Sequence, residues 1–396
     1  MCMPLWVKKN RIVHILSLII ILFFFMRLSS FPSFMPEGST AKQIFARFSQ
    51  LFTVYITIKY FSRRRISPIV LFWILYMLLG LVTTVFSNGS VHSVIQLTYP
   101  ILSICMLNEL EMPTNSRNYF LAYSILLTFF VTINALLLPF SQELYGEYRY
   151  FFGNRNGVMI PCLFSVVISY IACSYSGKNK KLFYYNLLIG TLNIVWGGSS
   201  GGLLSWSAFI LLYFLPVLKT MLSKVGLLGA TTLIICAEIG IVVFRFQNFF
   251  AFIIEDIMHK SLTLTHRTLI WDKVLPEILR HPMIGYGVQK DTNLFTIHYM
   301  ENNALRTSTF STHNELLRIL YEQGFLSLII LIAILLICWV TSHPFRRNPD
   351  IYLLYIALIA LLIQMITEAP GIYSVMVILS LIWCYSNILR GGEYDS

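Results

Sequence analysis

The sequence predicts an all-α polytopic membrane protein of about twelve transmembrane helices, with one large outer loop between helices 9 and 10. Three observations predict it. Of 396 residues, 57% are hydrophobic and only 12% charged, about half the charged share of an average soluble domain. Apolar runs near the roughly 20 residues that a hydrocarbon core requires recur along the chain. The basic residues are divided unevenly among the segments joining those runs. A soluble globular enzyme and a disordered chain are thereby excluded. No amphipathic β alternation recurs, which argues against an outer-membrane barrel.

The first span, about 12–31, follows Lys8, Lys9 and Arg11 and has a secretory look, but no small-x-small cleavage site follows. It is expected to remain as an uncleaved helix. The second, 44–61, is interrupted by Arg47, Ser49 and Gln50; the third is 66–86; the fourth, 91–108, contains Gln96 and Pro100. Next come 118–140 and 157–175, then 183–198 and 201–218 on either side of a glycine-serine turn, Gly197–Gly202. The ninth span, 226–244, holds Glu238, which is functional by default at such a position; a sugar, Arg27 or an inter-helical bond would each satisfy it. After a long interval come 324–341, 351–368 and 372–389. The organisation is therefore 1–244 with helices 1–9, a loop 245–323, and 324–396 with helices 10–12 and a tail.

Alternation from a cytoplasmic N-terminus places sixteen Lys and Arg in inner segments and four, Lys42, Arg47, Arg149 and Arg155, in the short outer loops. That asymmetry is what the positive-inside rule requires, with both termini cytoplasmic. The net charge of +11 then records orientation in the membrane and argues against a nucleic-acid partner. Six of the seven cysteines fall within spans, where they are expected as small packing residues.

The interval 245–323 holds 79 residues and five of the eight histidines: His259, His266, His281, His298 and His313. A long segment on a helical scaffold is a usual place for function. Leu269, Ile270, Val274, Leu275, Ile278 and Leu279 recur near helical spacing, predicting an amphipathic helix over 268–280, kinked at Pro276 and lying along the membrane interface. No His pair has metal-ligand spacing, so no metal is expected. His259, His266 and His298 are expected in solvent.

Three clusters resemble one family. They are His266-Arg267-Thr-Leu-Ile-Trp271 followed by His281-Pro282-Met-Ile-Gly285-Tyr-Gly287; His313-Asn314-Glu-Leu-Leu followed by Glu322-Gln-Gly324; and Tyr148-Arg149 followed by Gly153-Asn154-Arg155-Asn156-Gly157. Together they resemble the O-antigen ligase and polysaccharide polymerase family of integral membrane glycosyltransferases, of GT-C-like architecture; the first two belong to the long loop between two late spans and the start of the helix after it, and the third to the outer loop before helix 6. Arg155 stands where proline is common in that family, and Gly197–Gly202 lacks the arginine of the family's Ser-Arg pair. Ser199-Ser200 reads first as a tight helix connection and second as a backbone amide site for phosphate.

The resemblance implies transfer of a glycan from a polyprenyl-diphosphate carrier at the outer face of the bacterial cytoplasmic membrane. Guanidinium groups bind phosphate oxygens bidentately, which suits Arg267, Arg149 and Arg155 to the leaving group. No Asp-x-Asp pair is present for Mg²⁺, and no cofactor is expected. His313 is the expected general base and Arg267 the expected stabiliser of the leaving group. Asn314 either orients His313 or binds sugar hydroxyls, and Asn156 is expected at the substrate. Trp271, Tyr148, Tyr150 and Tyr286 are candidates for stacking on sugar rings. His281-Pro282 and the glycines after it read as loop architecture.

A polymerase joining lipid-linked repeat units of O-antigen, capsule or exopolysaccharide is the first reading. A ligase delivering finished glycan to lipid A core or another acceptor is the second. A chain-length regulator and a flippase would be partners, besides the membrane lipids. A twelve-helix transporter is the minor alternative, disfavoured because the two halves show no internal repeat.

Overall fold

The structure, a computed structural model, describes residues 5–25, 39–63, 66–147, 149–177, 180–250, 252, 266–289, 294–301, 304–369 and 371–394. Arg27, Tyr148 and His259, singled out above, lie outside the described residues. The chain runs through α1 (Leu5–Phe25), α2 (Thr40–Arg63), α3 (Pro68–Phe86), α4 (Val91–Leu137), α5 (Ser141–Tyr145), a hairpin of β1 (Arg149–Tyr150) and β2 (Gly153–Asn154), α6 (Met159–Ser176), α7 (Lys181–Gly197), α8 (Ser200–Phe214) and α9 (Pro216–Val242). It continues with α10 (Arg267–Arg280), an antiparallel hairpin of β3 (Phe295–Glu301) and β4 (Ala304–Phe310), α11 (Glu315–Ser342), α12 (Pro349–Thr367) and α13 (Tyr373–Tyr394).

Among the described residues, seven helices are long and apolar enough to cross a membrane, and Arg11–Phe25 and Ser200–Phe214 are shorter apolar helices. This is the profile of an all-α polytopic membrane protein. α6 and α12 are buried on nearly every face. Their sequences explain it, since both are apolar all round and α6 adds the small residues Ser165, Ser169 and Ala172, which let neighbours approach closely.

Three joins expected as loops are helical instead. α4 runs through 109–117 and leaves helical geometry only at Asn115. α9 starts at Pro216 and breaks at Gly226, where φ is +72°. α11 starts at Glu315, nine residues before the expected span, and breaks at Gly324, φ +67°. Hydropathy marks where a helix is apolar, not where it ends, and a glycine with positive φ turns the axis without ending the element.

The break at Gly324 explains the His281–Gly287 cluster. It frees backbone groups that a continuous helix would pair, and the loop after α10 takes them up. Tyr286 N donates to Tyr321 O at 2.8 Å, Gly287 N to Glu322 O at 2.8 Å, and Phe325 N to Pro282 O at 2.7 Å. The approach leaves no space for a side chain at Gly285, where a Cβ would lie 2.5 Å from Tyr321 O.

α10 forms at the expected residues, but its apolar face does not lie along a membrane interface. Ile270, Trp271, Val274 and Ile278 pack instead with Phe295 and Ile297 of β3 and with Leu317 and Leu320 of α11. The β3–β4 hairpin that covers this face was not foreseen in the loop, because its polar, threonine-rich second strand shows little hydrophobic alternation. Of the described cysteines, Cys236 alone is exposed.

Candidate functional site

The first turn of α10, the residues before α11 and the C-terminus of α12 meet at one point. Arg267 Nη2 pairs with Glu368 Oε1. His313 Nδ1 lies 3.9 Å from Glu368 Oε2, too long for a hydrogen bond but within ion-pair reach. The Glu368 carboxylate is 9% exposed, against 18% for the Arg267 side chain and 31% for His313. The anion is thus enclosed, while the imidazole keeps an open edge.

The glycine-rich turn supplies the opposite wall. Gly198 adopts φ +61°, and Ser199 caps α8 through Oγ to Gly202 N at 3.3 Å. A Cβ on Gly201 would stand 2.7 Å from Thr367 Oγ1 and 3.9 Å from Glu368 Oε1. Only glycine allows the first turn of α8 so close, and a helix N-terminus favours the neighbouring negative charge. The loop before α6 docks alongside, because Gln364 Nε2 donates to Asn156 O at 2.5 Å.

Each member is held by residues that sit beside it in the chain. Asn314 is fully buried and caps α11, its Oδ1 accepting from Leu317 N at 2.8 Å. Its Nδ2 donates to Glu238 Oε1 at 2.7 Å and to Ile366 O at 3.0 Å. Glu315 is also fully buried; it pairs with Arg318 and accepts from Gly371 N at 3.0 Å. Glu368 is therefore fixed from both flanks, at Ile366 and at Gly371. Arg245, at the end of α9, donates to Thr268 O at 3.1 Å and pairs with Asp272, tying down the first turn of α10.

Several expectations need correcting. Trp271 is fully buried, and its Nε1 donates to Thr312 O at 3.0 Å, so the ring supports the backbone beside His313 and offers no face to a sugar. Asn314 has its amide engaged on both sides, which makes it an orienting residue and not a sugar ligand. Tyr286 stacks on Tyr321 at 4.8 Å and donates to Glu277 Oε2 at 2.6 Å. Burial, with the Glu277 carboxylate second, pushes its phenol up to about 12. The same hydrogen bond, helped by Arg280, holds the Glu277 carboxyl below its ordinary value. His266 packs its ring 4.1 Å from that of Tyr299 and so is not simply solvated.

Arg267 and His313, the two expected catalytic residues, both face Glu368. Arg155 and Asn156 lie partly buried on the adjoining loop, where Asn156 N is capped by Asn154 Oδ1 at 3.1 Å. Arg149 is exposed on the β1–β2 hairpin, paired in register with Asn154. Sequence reasoning missed Glu368, which entered only as the last residue of the expected span 351–368. The available signal was a lone carboxylate closing the apolar run of α12, just before Pro370 and Gly371. Among the described residues no three His, Cys, Asp or Glu side chains gather as a metal-holding group.

Residues 185–332 match the family model described as O-antigen ligase. Over those residues the chain is similar to the O-antigen ligase family. No curated protein and no solved structure matches the chain. The match runs from α7 into α11 and includes Arg267 and His313, whereas Glu368 and the Arg149–Asn156 loop lie outside the matched residues. It supports a glycosyltransferase-like, ligase- or polymerase-type function in polysaccharide biosynthesis. Within the matched residues, His313 and Arg267 stand on either side of the Glu368 carboxylate, His313 the more open of the two.

Proposed function

We propose that the protein is a metal-independent polysaccharide polymerase of GT-C-like architecture, embedded in the bacterial cytoplasmic membrane with both termini inside. It transfers a growing glycan from a polyprenyl diphosphate to the hydroxyl of a lipid-linked repeat unit at the outer face. The observation that carries the reading is the convergence of Arg267 and His313 on one enclosed carboxylate, Glu368.

In this reaction His313 Nε2 accepts the proton of the acceptor hydroxyl as its oxygen attacks the anomeric carbon. The bond to the diphosphate breaks, and its electron pair leaves with the phosphate oxygen. Glu368 faces the other ring nitrogen and stabilises the imidazolium as it forms, as an orienting carboxylate does. Arg267, with Arg155 and Arg149 on the neighbouring loop, neutralises the negative charge growing on the diphosphate. Direct displacement of this kind inverts the anomeric centre. The ligase reading is favoured by the description of the matching family and differs only in the acceptor.

The test is complementation of the host's own null strain with wild type, Arg267→Ala and His313→Ala, with the surface glycan run on a gel. Wild type restores a ladder, and both variants leave single repeat units at normal protein level. Ladder-length glycan that accumulates on the lipid carrier in the null strain would make the protein a ligase. Full activity of both variants would overturn the site.

A further inference from the structure

Glu238 has no place in the chemistry above, yet it is a carboxylate 7% exposed near the end of an apolar helix, α9. Burying such a group in a membrane is costly, and one hydrogen bond between membrane helices contributes little on average. Its partner is informative. The Nδ2 of Asn314 is shared between Glu238 Oε1 and Ile366 O, so one amide joins α9, α11 and α12 at the residue next to His313 and two residues before Glu368.

The backbone gives a reason for so firm a tie. His313 has φ +46°, a left-handed conformation that a non-glycine side chain holds only when its surroundings over-determine it. Its neighbours are pinned on both sides: Thr312 O accepts from Trp271 Nε1, and Thr312 Oγ1 donates to Asn314 O at 2.9 Å. Without an acceptor at 238, half of the Asn314 amide loses its partner and the anchor on the α11 side is free to turn.

We infer that Glu238 is a positioning residue that acts through Asn314 to hold His313 in its left-handed conformation facing Glu368. The inference rests on the transfer reaction proposed above. It requires a hydrogen-bond acceptor at 238 and not a negative charge.

The experiment uses full-length variants in membrane vesicles from the host that makes its own lipid-linked repeats, with rates normalised to folded protein. Glu238→Leu is expected to lower kcat about a hundredfold, the scale of a small misplacement of a reacting group, with KM for the lipid-linked repeat unchanged. Glu238→Gln, which keeps the acceptor, retains most of kcat. Should Glu238→Leu not fold, Glu238→Met reports the same loss, because it fills the space without an oxygen acceptor. Wild-type kcat in Glu238→Leu, or in Glu238→Met where it stands in, beside an inactive His313→Ala would overturn the role of Glu238 alone. So would equal losses in the Gln variant and the apolar one. Full activity of His313→Ala would instead overturn the transfer reading itself.

Discussion

Replacing Glu368 by Gln keeps the shape of the side chain and removes the charge between Arg267 and His313. In the proposed reaction, the proton that His313 accepts in the transition state creates a positive charge 3.9 Å from a carboxylate oxygen. At that distance the attraction is about 4 kcal/mol with an effective dielectric near 20. His313 is about a third open to solvent, and Arg267 competes for the same carboxylate, so roughly half of that is a reasonable net loss. A loss of about 2 kcal/mol in transition-state stabilisation corresponds to about thirtyfold in kcat. The assay is consumption of lipid-linked repeats in membrane vesicles, with kcat and KM obtained separately. The interaction strengthens only as the proton moves, so kcat falls while KM stays near wild type. A wild-type kcat in Glu368→Gln, with His313→Ala inactive in the same vesicles, would refute the electrostatic role.

Trp271→Ala is expected to cost about 3–5 kcal/mol of stability, as for a fully buried aromatic side chain, whereas Trp271→Phe leaves KM unchanged; a rise in KM for Phe would restore the sugar-stacking role. Gly324→Ala should lower the melting temperature, because a Cβ there would stand 2.4 Å from Met283 backbone atoms at φ +67°, and an unchanged melt would contradict the wedged loop. The depressed Glu277 carboxyl contributes stability that is present above its unfolded value and lost as pH falls through the folded one. Glu277→Gln should therefore lower the melting temperature at pH 7 and leave it unchanged well below the carboxylate range; equal shifts at both would exclude the ionised pair.

Much of this organisation was legible from the chain, for reasons that differ between residues. Apolar runs report helices because a membrane penalises unpaired backbone wherever it crosses lipid. They do not report helix ends, and so the first nine residues of α11, the start of α9 and the helical join 109–117 within α4 were hidden. Arg267 and His313 were legible because they lie in the clusters that resemble a known family, whose implied chemistry calls for a cation and a titratable ring. Trp271 was misread, since an aromatic residue signals a large contact surface without saying whether protein or ligand occupies it. Only the position of Thr312 O, 41 residues away in sequence, decides the matter.

Glu368 was illegible for a deeper reason. Its meaning comes entirely from three partners distant in sequence: Arg267, His313 and the first turn of α8. A carboxylate at the end of a helix looks like any solvated terminal residue until those elements are folded against it. The same holds for Glu238, whose hydrogen-bond partner Asn314 is a side chain 76 residues away. Helices in a membrane gain little from association as such, so groups that must converge to fractions of an ångström need specific ties between helices. Here the ties attach one or two residues before, or one to three residues after, the groups they position: at Thr312 and Asn314 around His313, at Ile366 and Gly371 around Glu368, and at Thr268 beside Arg267. That placement leaves Arg267 and His313 themselves facing Glu368, with the position of each supplied by its neighbours along the chain.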